Sequence, residues 1–409
     1  MSLFLGLETS CDETSAAVVE NGRQVRSSLV ASQVDLHSRY GGVVPEIASR
    51  RHLEAFLPVV DQALAGAGVT PSDLDGLAVT TGPGLAGALI VGLAAASALA
   101  LAWGKPLVAV NHLEAHAYAA FLEPEADPGA PAPPARVAPA APTTPPARVA
   151  PRPPMVVLIV SGGHTGLAEL VDHVLFRPLG ETRDDAAGEA FDKVARHLGL
   201  GYPGGPIIDR LAAEGDPRAI PFPRALLEPG SLDFSFSGLK TAVLYYTQAA
   251  AKRGETIDLA NVAASFQSAV VDVLVGKTFA ALGRVGHPRL AVVGGVAANR
   301  ALRRAFTSRA TAEGIELYIP SPHYCTDNAA MVAGLAHFLV ASGRVPTRVG
   351  GIGSSLRINP GAGMGGRPKQ RGRRRGATVV PSSQLQGVGT PIQGTTVRRR
   401  NPDPMPGKG

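Results

Sequence analysis

The sequence predicts an α/β protein that states one structural theme twice. LFLGLETS (3–10) followed by SAAVVENGRQVRSSLV (15–30) reads as strand, polar turn, strand. MVVLIVSGGHTGLAEL (155–170) repeats that theme as apolar strand, glycine turn and second strand. Around both, strands alternate with helix-length apolar segments, the pattern of an α/β domain.

The elements follow in order. Asn21-Gly22 is a hairpin signal between two alternating runs. A helical stretch covers Pro45–Gly66, and LAVTTG (77–82) is a strand. Nothing between Asp75 and Lys105 is charged, so that run needs testing as a membrane span. Its helical part, LAGALIVGLAAASALALAW, is dominated by Ala and Gly, which add little to insertion. It reads as a helix buried against a sheet. PLVAV is a short strand leading into a helix with His112 and His116. Residues 124–154 hold twelve prolines and the pentapeptide ARVAP twice, so they read as an extended, mobile linker. Helices are expected around 186–199, 204–215 and 257–285. Then come strand RLAVVGG, helix ANRALRRAF, strand ELYIP and a closing helix from Asp327 to Ser342. After Pro360 the chain is rich in Gly, Arg, Pro and Ser/Thr with no apolar period, and is expected to be disordered.

A chain of 409 residues can bury two sizeable cores. The net charge of +6 is unevenly placed. With ten of the 39 basic and one of the 33 acidic groups beyond residue 360, residues 1–360 hold 29 and 32, a net of −3. Cys11 and Cys325 are the only cysteines, which excludes a secreted disulfide framework. The N-terminus lacks a basic region and meets Glu8 early, so no signal peptide and a cytoplasmic location are expected.

HLEAH (112–116) puts two imidazoles on one helix face, a spacing that suits a divalent transition metal. Half-buried histidines on an amphipathic helix would show the same spacing. A zinc-peptidase motif has its glutamate directly after the first histidine. Glu114 lies two residues on, about 200° around the helix, and should point away from the metal. YCTDNAAM offers Asp327 as a third ligand, or else as a helix cap; Cys325 is a softer candidate ligand. Two histidines and a carboxylate with open positions suit Fe(II), and Zn is compatible.

The glycine turns VSGGHTG (160–166), GGP (204–206) and GGVAANR (294–300) lie at strand ends or helix starts, where free N–H groups can meet phosphate. With the polar start Glu8, Thr9, Ser10, Asp12 and Glu13, they favour a nucleotide or acyl-phosphate ligand. In GETRDDAAGEAFDKVA, the carboxylates of Asp184, Asp185, Glu189 and Asp192 near Lys193 read mostly as a solvated helix face. Asp192, one turn past Gly188, can hydrogen-bond a ribose or hydroxyl. DFSFSGLKTAV reads as a loop packing Phe234 and Phe236, with Lys240 either meeting a phosphate or simply packed.

Taken together, GLETSCDETSAAVV, SQVDLHSRYGGVVPEIASRRH, GPGLAGALIVG, HLEAH, VSGGHT, DDAAGEAFDKVA, GYPGGP, DFSFSGLKTAV, GGVAANRALR and YCTDNAAM resemble the bacterial-type tRNA N6-adenosine threonylcarbamoyltransferases across nearly all of residues 1–358. The resemblance implies two duplicated ribonuclease-H-like lobes of the actin-like ATPase type with a ligand cleft between them. On this division residues 1–123 form the first lobe, 124–154 the linker, 155–324 the second lobe, 325–358 a closing segment returning to the first lobe, and 359–409 the basic tail. It implies transfer of threonylcarbamoyl from threonylcarbamoyl-adenylate to N6 of adenosine 37, in tRNAs reading codons that start with A, with release of AMP. Its metal ligands fall on His112, His116 and Asp327, holding one divalent metal. Its adenylate contacts fall on Ile159, Val160, Ser161, Gly162, Gly163, Asp192, Gly205, Asp209 and Asn299. Asp12 and Glu13 are candidates for the base that takes the amine proton. A paralogous non-catalytic subunit and a small P-loop ATPase are implied as partners, with tRNA as substrate and no membrane. An ATPase or kinase of the same fold, a metallopeptidase and an inert scaffold subunit are the competing readings. The Pro-rich linker and the basic tail depart from the family pattern, and an Arg-rich tail suggests a salt-dependent grip on RNA.

Overall fold

The computed structural model describes residues 1–123, 150–225 and 230–345. Strands β1 (Leu3–Glu8), β2 (Glu13–Glu20) and β3 (Gln24–Ser32) form an antiparallel meander. Asn21 and Gly22 both take left-handed φ, 52° and 68°, as a twist-matched two-residue hairpin turn requires. Helices α1 (Val34–Ser38) and α2 (Pro45–Ala67) follow, then β4 (Gly76–Gly82), α3 (Ala86–Trp103), β5 (Leu107–Asn111) and α4 (His112–Tyr118). The first sheet runs β3-β2-β1-β4-β5, with β4 parallel to β1 and β5 parallel to β4.

The second half repeats this plan strand for strand. β6 (Met155–Val160), β7 (Thr165–Asp172) and β8 (Leu175–Glu181) form the meander. Next come α5 (Ala187–His197), α6 (Gly204–Leu211), α7 (Ser237–Lys252), α8 (Leu259–Val285), β9 (Arg289–Val293), α9 (Arg300–Glu313), β10 (Glu316–Tyr318), α10 (Pro322–Cys325) and α11 (Ala329–Ala341). The sheet order is β10-β9-β6-β7-β8, so β9 and β10 stand where β4 and β5 stand in the first sheet. The duplication expected from the two strand–turn–strand passages is therefore present. Besides the short helices α1 and α10, two elements escaped the sequence reading. β8 (LFRPLGE) alternates poorly and contains Pro178, and α7 begins inside the Phe/Ser run that reads as a loop.

Strand alternation divides the core. Leu5 and Leu7 of β1 point into a cluster with α2 and α3, while Phe4 points into a cluster shared with α4 and α11. In β6, Val157 and Ile159 join that same central cluster, and Val156, Leu158 and Val160 face α5–α9. Both β1 and β6 are covered on two faces, which is why they read as near-continuous apolar runs. Helices α4 and α11 consequently sit between the two sheets. The approach is close: a Cβ on Gly6 of β1 would stand 2.1 Å from Ala329 O and 2.8 Å from Ala333 N.

Helices α3 and α8 are each long and apolar enough to cross a membrane by composition. α8 is packed into the fold, whereas α3 lies on it with one face inward and Ile90 and Leu101 exposed. α8 buries most of its length, and α3 turns Ala88, Leu89, Gly92, Ala96 and Ala100 inward against α2 and the first sheet. The two ends of the Pro-rich insertion meet at the β2–β3 hairpin. Glu123 N–H donates to Arg23 O (2.8 Å), and Arg23 Nη2 donates to Pro151 O (3.2 Å). Residues 124–149 of the expected linker, 346–358 of the expected closing segment and the expected tail 359–409 lie outside the described residues.

Candidate metal centre and ligand cleft

β5 passes directly into α4 because Asn111 caps the helix. Its Oδ1 accepts from Leu113 N (2.9 Å) and Glu114 N (3.2 Å). His112 is thus the first helical residue, and His116 lies one turn on, its ring edge-on to His112 at 4.7 Å. The third residue arrives ahead of α11. Asp327 is not that helix's cap: Asn328 is, accepting from Met331 N at 3.0 Å. With the capping duty taken, Asp327 Oδ1 stands 3.5 Å from His112 Nε2 and 3.2 Å from His116 Nε2.

One ligand atom from each of His112, His116 and Asp327 lies within 4.8 Å of the others. Neither nitrogen of the fully buried His116 makes an aligned hydrogen bond. A buried imidazole with no such partner is costly, and a metal ion would satisfy it. The donor set therefore fits a divalent transition metal. Glu114, though buried, is not in the set, as its helical position predicted. Cys325, the alternative third ligand, is not in the donor cluster: its thiol sits against Arg303 Nη1 (3.8 Å) and Pro320 O (3.7 Å).

A carboxylate that the sequence reading grouped with the ligand-binding polar start, and not with the metal, backs the site. Glu8, at the end of β1 and 0% exposed, lies 3.0 Å from His112 Nδ1 through Oε2. Oε2 also accepts from Thr80 Oγ1 (2.6 Å), and Oε1 accepts from Ser10 N–H (2.5 Å). Burial pushes the Glu8 carboxyl up, but His112 and Thr80 outweigh it and hold it down. The signal in the sequence was an acidic residue closing a wholly apolar strand.

Electrostatics around the centre are strongly coupled. Burial favours neutral His112, yet Asp327 and Glu8 raise it to about 9; burial pushes Asp327 up, yet His112 and His116 hold it at about 2. Of the two candidate bases, Asp12 is buried. Glu13 is pushed up to about 9 by burial and by the Asp327 and Asp12 carboxylates.

The glycine turn after β6 is fixed by main-chain hydrogen bonds. Ser161 N–H donates to His164 O (2.8 Å), and Gly188 N–H to Ser161 O (3.2 Å), which brings the start of α5 against the turn. A Cβ on Gly188 would stand 2.5 Å from Ser161 O, so only glycine allows this approach. Gly162 and Gly163 are exposed, with open space where a Cβ would sit. Ile159 and Val160 differ: their side chains are buried on opposite faces of β6, leaving only main chain to meet a ligand. Asp192 accepts from Gly204 N–H (2.7 Å); burial raises its carboxyl and the Gly204 and Gly205 N–H groups partly offset this. Gly205 faces open space. Asp209 pairs with Arg300 Nε (2.7 Å). Asn299 caps α9 through Leu302 N and donates to Gln267 Oε1 at 2.6 Å. Tyr202 was also missed by sequence reasoning. Burial first, then Asp12, Asp192, Cys11 and Glu13, raise its phenol.

The acidic run is part solvated face and part latch. Asp184 accepts from Ser235 Oγ (2.5 Å), Phe236 N (2.8 Å), Ser237 N (3.2 Å) and Ser237 Oγ (2.7 Å). Asp185 pairs with Lys193 (2.7 Å) and Lys240 (2.8 Å). These groups latch the start of α7 to the approach of α5. Asp185 is withdrawn from solvent and Lys240 is already paired, while Asp184 and the Glu189–Lys193 pair stay solvent-exposed as a helix face would.

The family model TsaD, described as tRNA N6-adenosine threonylcarbamoyltransferase, matches residues 24–141 and 140–334. The protein of that name from Moorella thermoacetica is 53% identical over 335 residues, 82% of this chain and 91% of its own. Its namesake from Anaeromyxobacter dehalogenans is 54% identical over 336 residues, 81% of this chain and 92% of its own. Among solved structures, HypF of T. kodakarensis superposes with a TM-score of 0.52 at 14% identity, covering 84% of this chain and 48% of HypF. That likeness speaks to the fold alone, an α/β architecture of the actin-like ATPase type. The matched stretches carry His112, His116 and Asp327 and run through both sheets, and at this identity and coverage the chain belongs to the tRNA N6-adenosine threonylcarbamoyltransferase family.

Proposed function

We propose that the chain carries out the family's modification of tRNA with threonylcarbamoyl-adenylate as donor, transferring its acyl group to N6 of adenosine 37 and releasing AMP. The observation that carries this reading is the convergence of His112, His116 and Asp327 beside Asp12 and Glu13. An aromatic exocyclic amine is a poor nucleophile, so the carbonyl has to arrive activated, and a mixed anhydride with AMP supplies that. His112, His116 and Asp327 would hold one divalent ion, Fe(II) or Zn, which supplies Lewis acidity to orient and polarise the donor's oxygens.

The remaining roles fall to the chain's own groups. Gly162 and Gly163 present main-chain N–H groups at an exposed turn, suited to an adenylate phosphate and to the charge that grows as AMP leaves. Ser161 and the main chain of Ile159 and Val160 fix that turn's position. Asp192, Gly205, Asp209 and Asn299 line the nucleoside side. Asp12 and Glu13, the carboxylates beside the centre, are the groups of the right type to take the amine proton. Residues 1–123 and 155–324 act as the two lobes, with 325–358 returning the third ligand to the first. The partners are a paralogous non-catalytic subunit and a small P-loop ATPase, and the setting is cytoplasmic. A peptidase reading finds no support, because Glu114 stands outside the donor set.

The test is transfer of labelled threonine, with bicarbonate and ATP, onto an unmodified tRNA transcript in the presence of the synthase and partner subunits. Incorporation by wild type and its loss in His112→Ala/His116→Ala is the expected result. Incorporation by both would leave the histidines a structural role. None by folded, metal-loaded wild type with active partners would favour the ATPase or scaffold reading.

A further inference from the structure

We propose that Glu8 is a positioning residue for the metal centre: its carboxylate holds His112 with Nδ1 protonated, so that Nε2 faces the donor cluster, and its charge makes that nitrogen a stronger ligand. The inference rests on the metal reading above and adds to it a residue outside the donor set. Three segments fix the carboxylate. Ser10 N–H from the turn after β1 holds Oε1, while Thr80 Oγ1 from β4 and His112 Nδ1 from α4 meet Oε2. All three residues and Glu8 are buried.

With both oxygens occupied, Oε2 can take the Nδ1 proton of His112 but cannot swing toward Nε2. Ser10 Oγ, 3.2 Å from the same nitrogen, closes the remaining approach. The arrangement is one-sided, since His116 Nδ1 has no hydrogen-bond partner among the described residues. Glu8 therefore acts on one histidine only. Metal-binding imidazoles are typically oriented by such a carboxylate, and its loss weakens metal affinity by about 10–100-fold. Glu8 and Asp327 together also supply two negative charges to balance a divalent ion.

The alternative is that Glu8 merely joins β1, β4 and α4. Titration of metal-free full-length protein with Co2+ against a chromophoric chelator, with the visible d–d bands recorded, separates the two. The variants are Glu8→Gln and Glu8→Leu, with His112→Ala as the control for a lost ligand. Gln keeps an acceptor but not the charge, and should bind Co2+ roughly tenfold more weakly with altered bands; Leu should approach a hundredfold loss. Thermal melting of the metal-free variants reports folding separately. If the Leu variant does not fold, the near-isosteric Gln variant decides. Wild-type affinity in a folded variant, or weaker uptake with unchanged bands, would overturn the positioning role. Wild type that takes up no Co2+ would overturn the metal reading and this proposal with it.

Discussion

His112 meets opposing demands in the metal-free protein. Burial favours the neutral ring, and Asp327 and Glu8 outweigh burial to raise it from an ordinary 6.5 to about 9. A group raised on folding stabilises fully below its unfolded value and loses that contribution as pH rises through the folded one. Melting temperature of EDTA-treated protein should therefore fall by several degrees between pH 6.5 and 9. Asp327, held at about 2, works in the opposite direction, its contribution present above an ordinary carboxylate pKa of 3.8 and lost as pH falls through 2. An Asp327→Asn variant should flatten the alkaline fall; an unchanged slope would remove His112 as its cause. Metal uptake has to displace the same proton, so affinity should tighten as pH rises toward 9. At this scale the sequence was uneven. HLEAH is legible because i and i+4 are neighbours in any helix. Glu8 is not, because its link to His112 spans 104 positions and exists only once β1, β4 and β5 pair.

Helix α11 brings Asp327 to the histidines by resting on the backbone of β1. Gly6 is the contact point, with no room for a methyl group: Ala329 O would lie 2.1 Å and Ala333 N 2.8 Å away. Both are main-chain atoms, so relief requires the helix to move. Gly6→Ala should cost about 1–3 kcal/mol, the usual range for forced overpacking, measured as a lowered urea midpoint. Because the helix carries Asp327, Co2+ uptake should weaken as well, although residue 6 touches no ligand. A wild-type midpoint would show that α11 is free to shift. Elements were legible where periodicity and turn chemistry agreed, as in β1–β2–β3 and β6–β7. The latch made by Asp184 and Asp185 was not legible because its partners at 235–240 lie 51 to 55 residues away. Long-range pairing of that kind leaves no local period.

The molecule as a whole divides its charge in a way that bears on RNA. Residues 1–360 are net negative by three, while ten of the 39 basic groups lie between 361 and 409 against Asp403 alone. A polyanion approaching the body meets no net attraction, so long-range attraction depends on the tail, whatever the cleft contributes on contact. Each phosphate neutralised releases counterions, and the logarithmic salt slope of binding changes by roughly 0.7–0.9 per contact. If the tail engages even three phosphates, a protein ending at residue 360 should show a slope shallower by roughly 2–3. Its tRNA affinity should fall most at low salt and least at moderate salt, where screening already weakens the tail. Filter binding of one transcript across a salt series, with full-length and truncated protein, measures both quantities. Threonine transfer at saturating tRNA should persist in the truncated protein, because His112, His116, Asp327 and the turn at 161–163 all lie within residues 1–345. Equal slopes would assign the whole electrostatic grip to the body despite its net charge, and the tail would have no part in substrate capture.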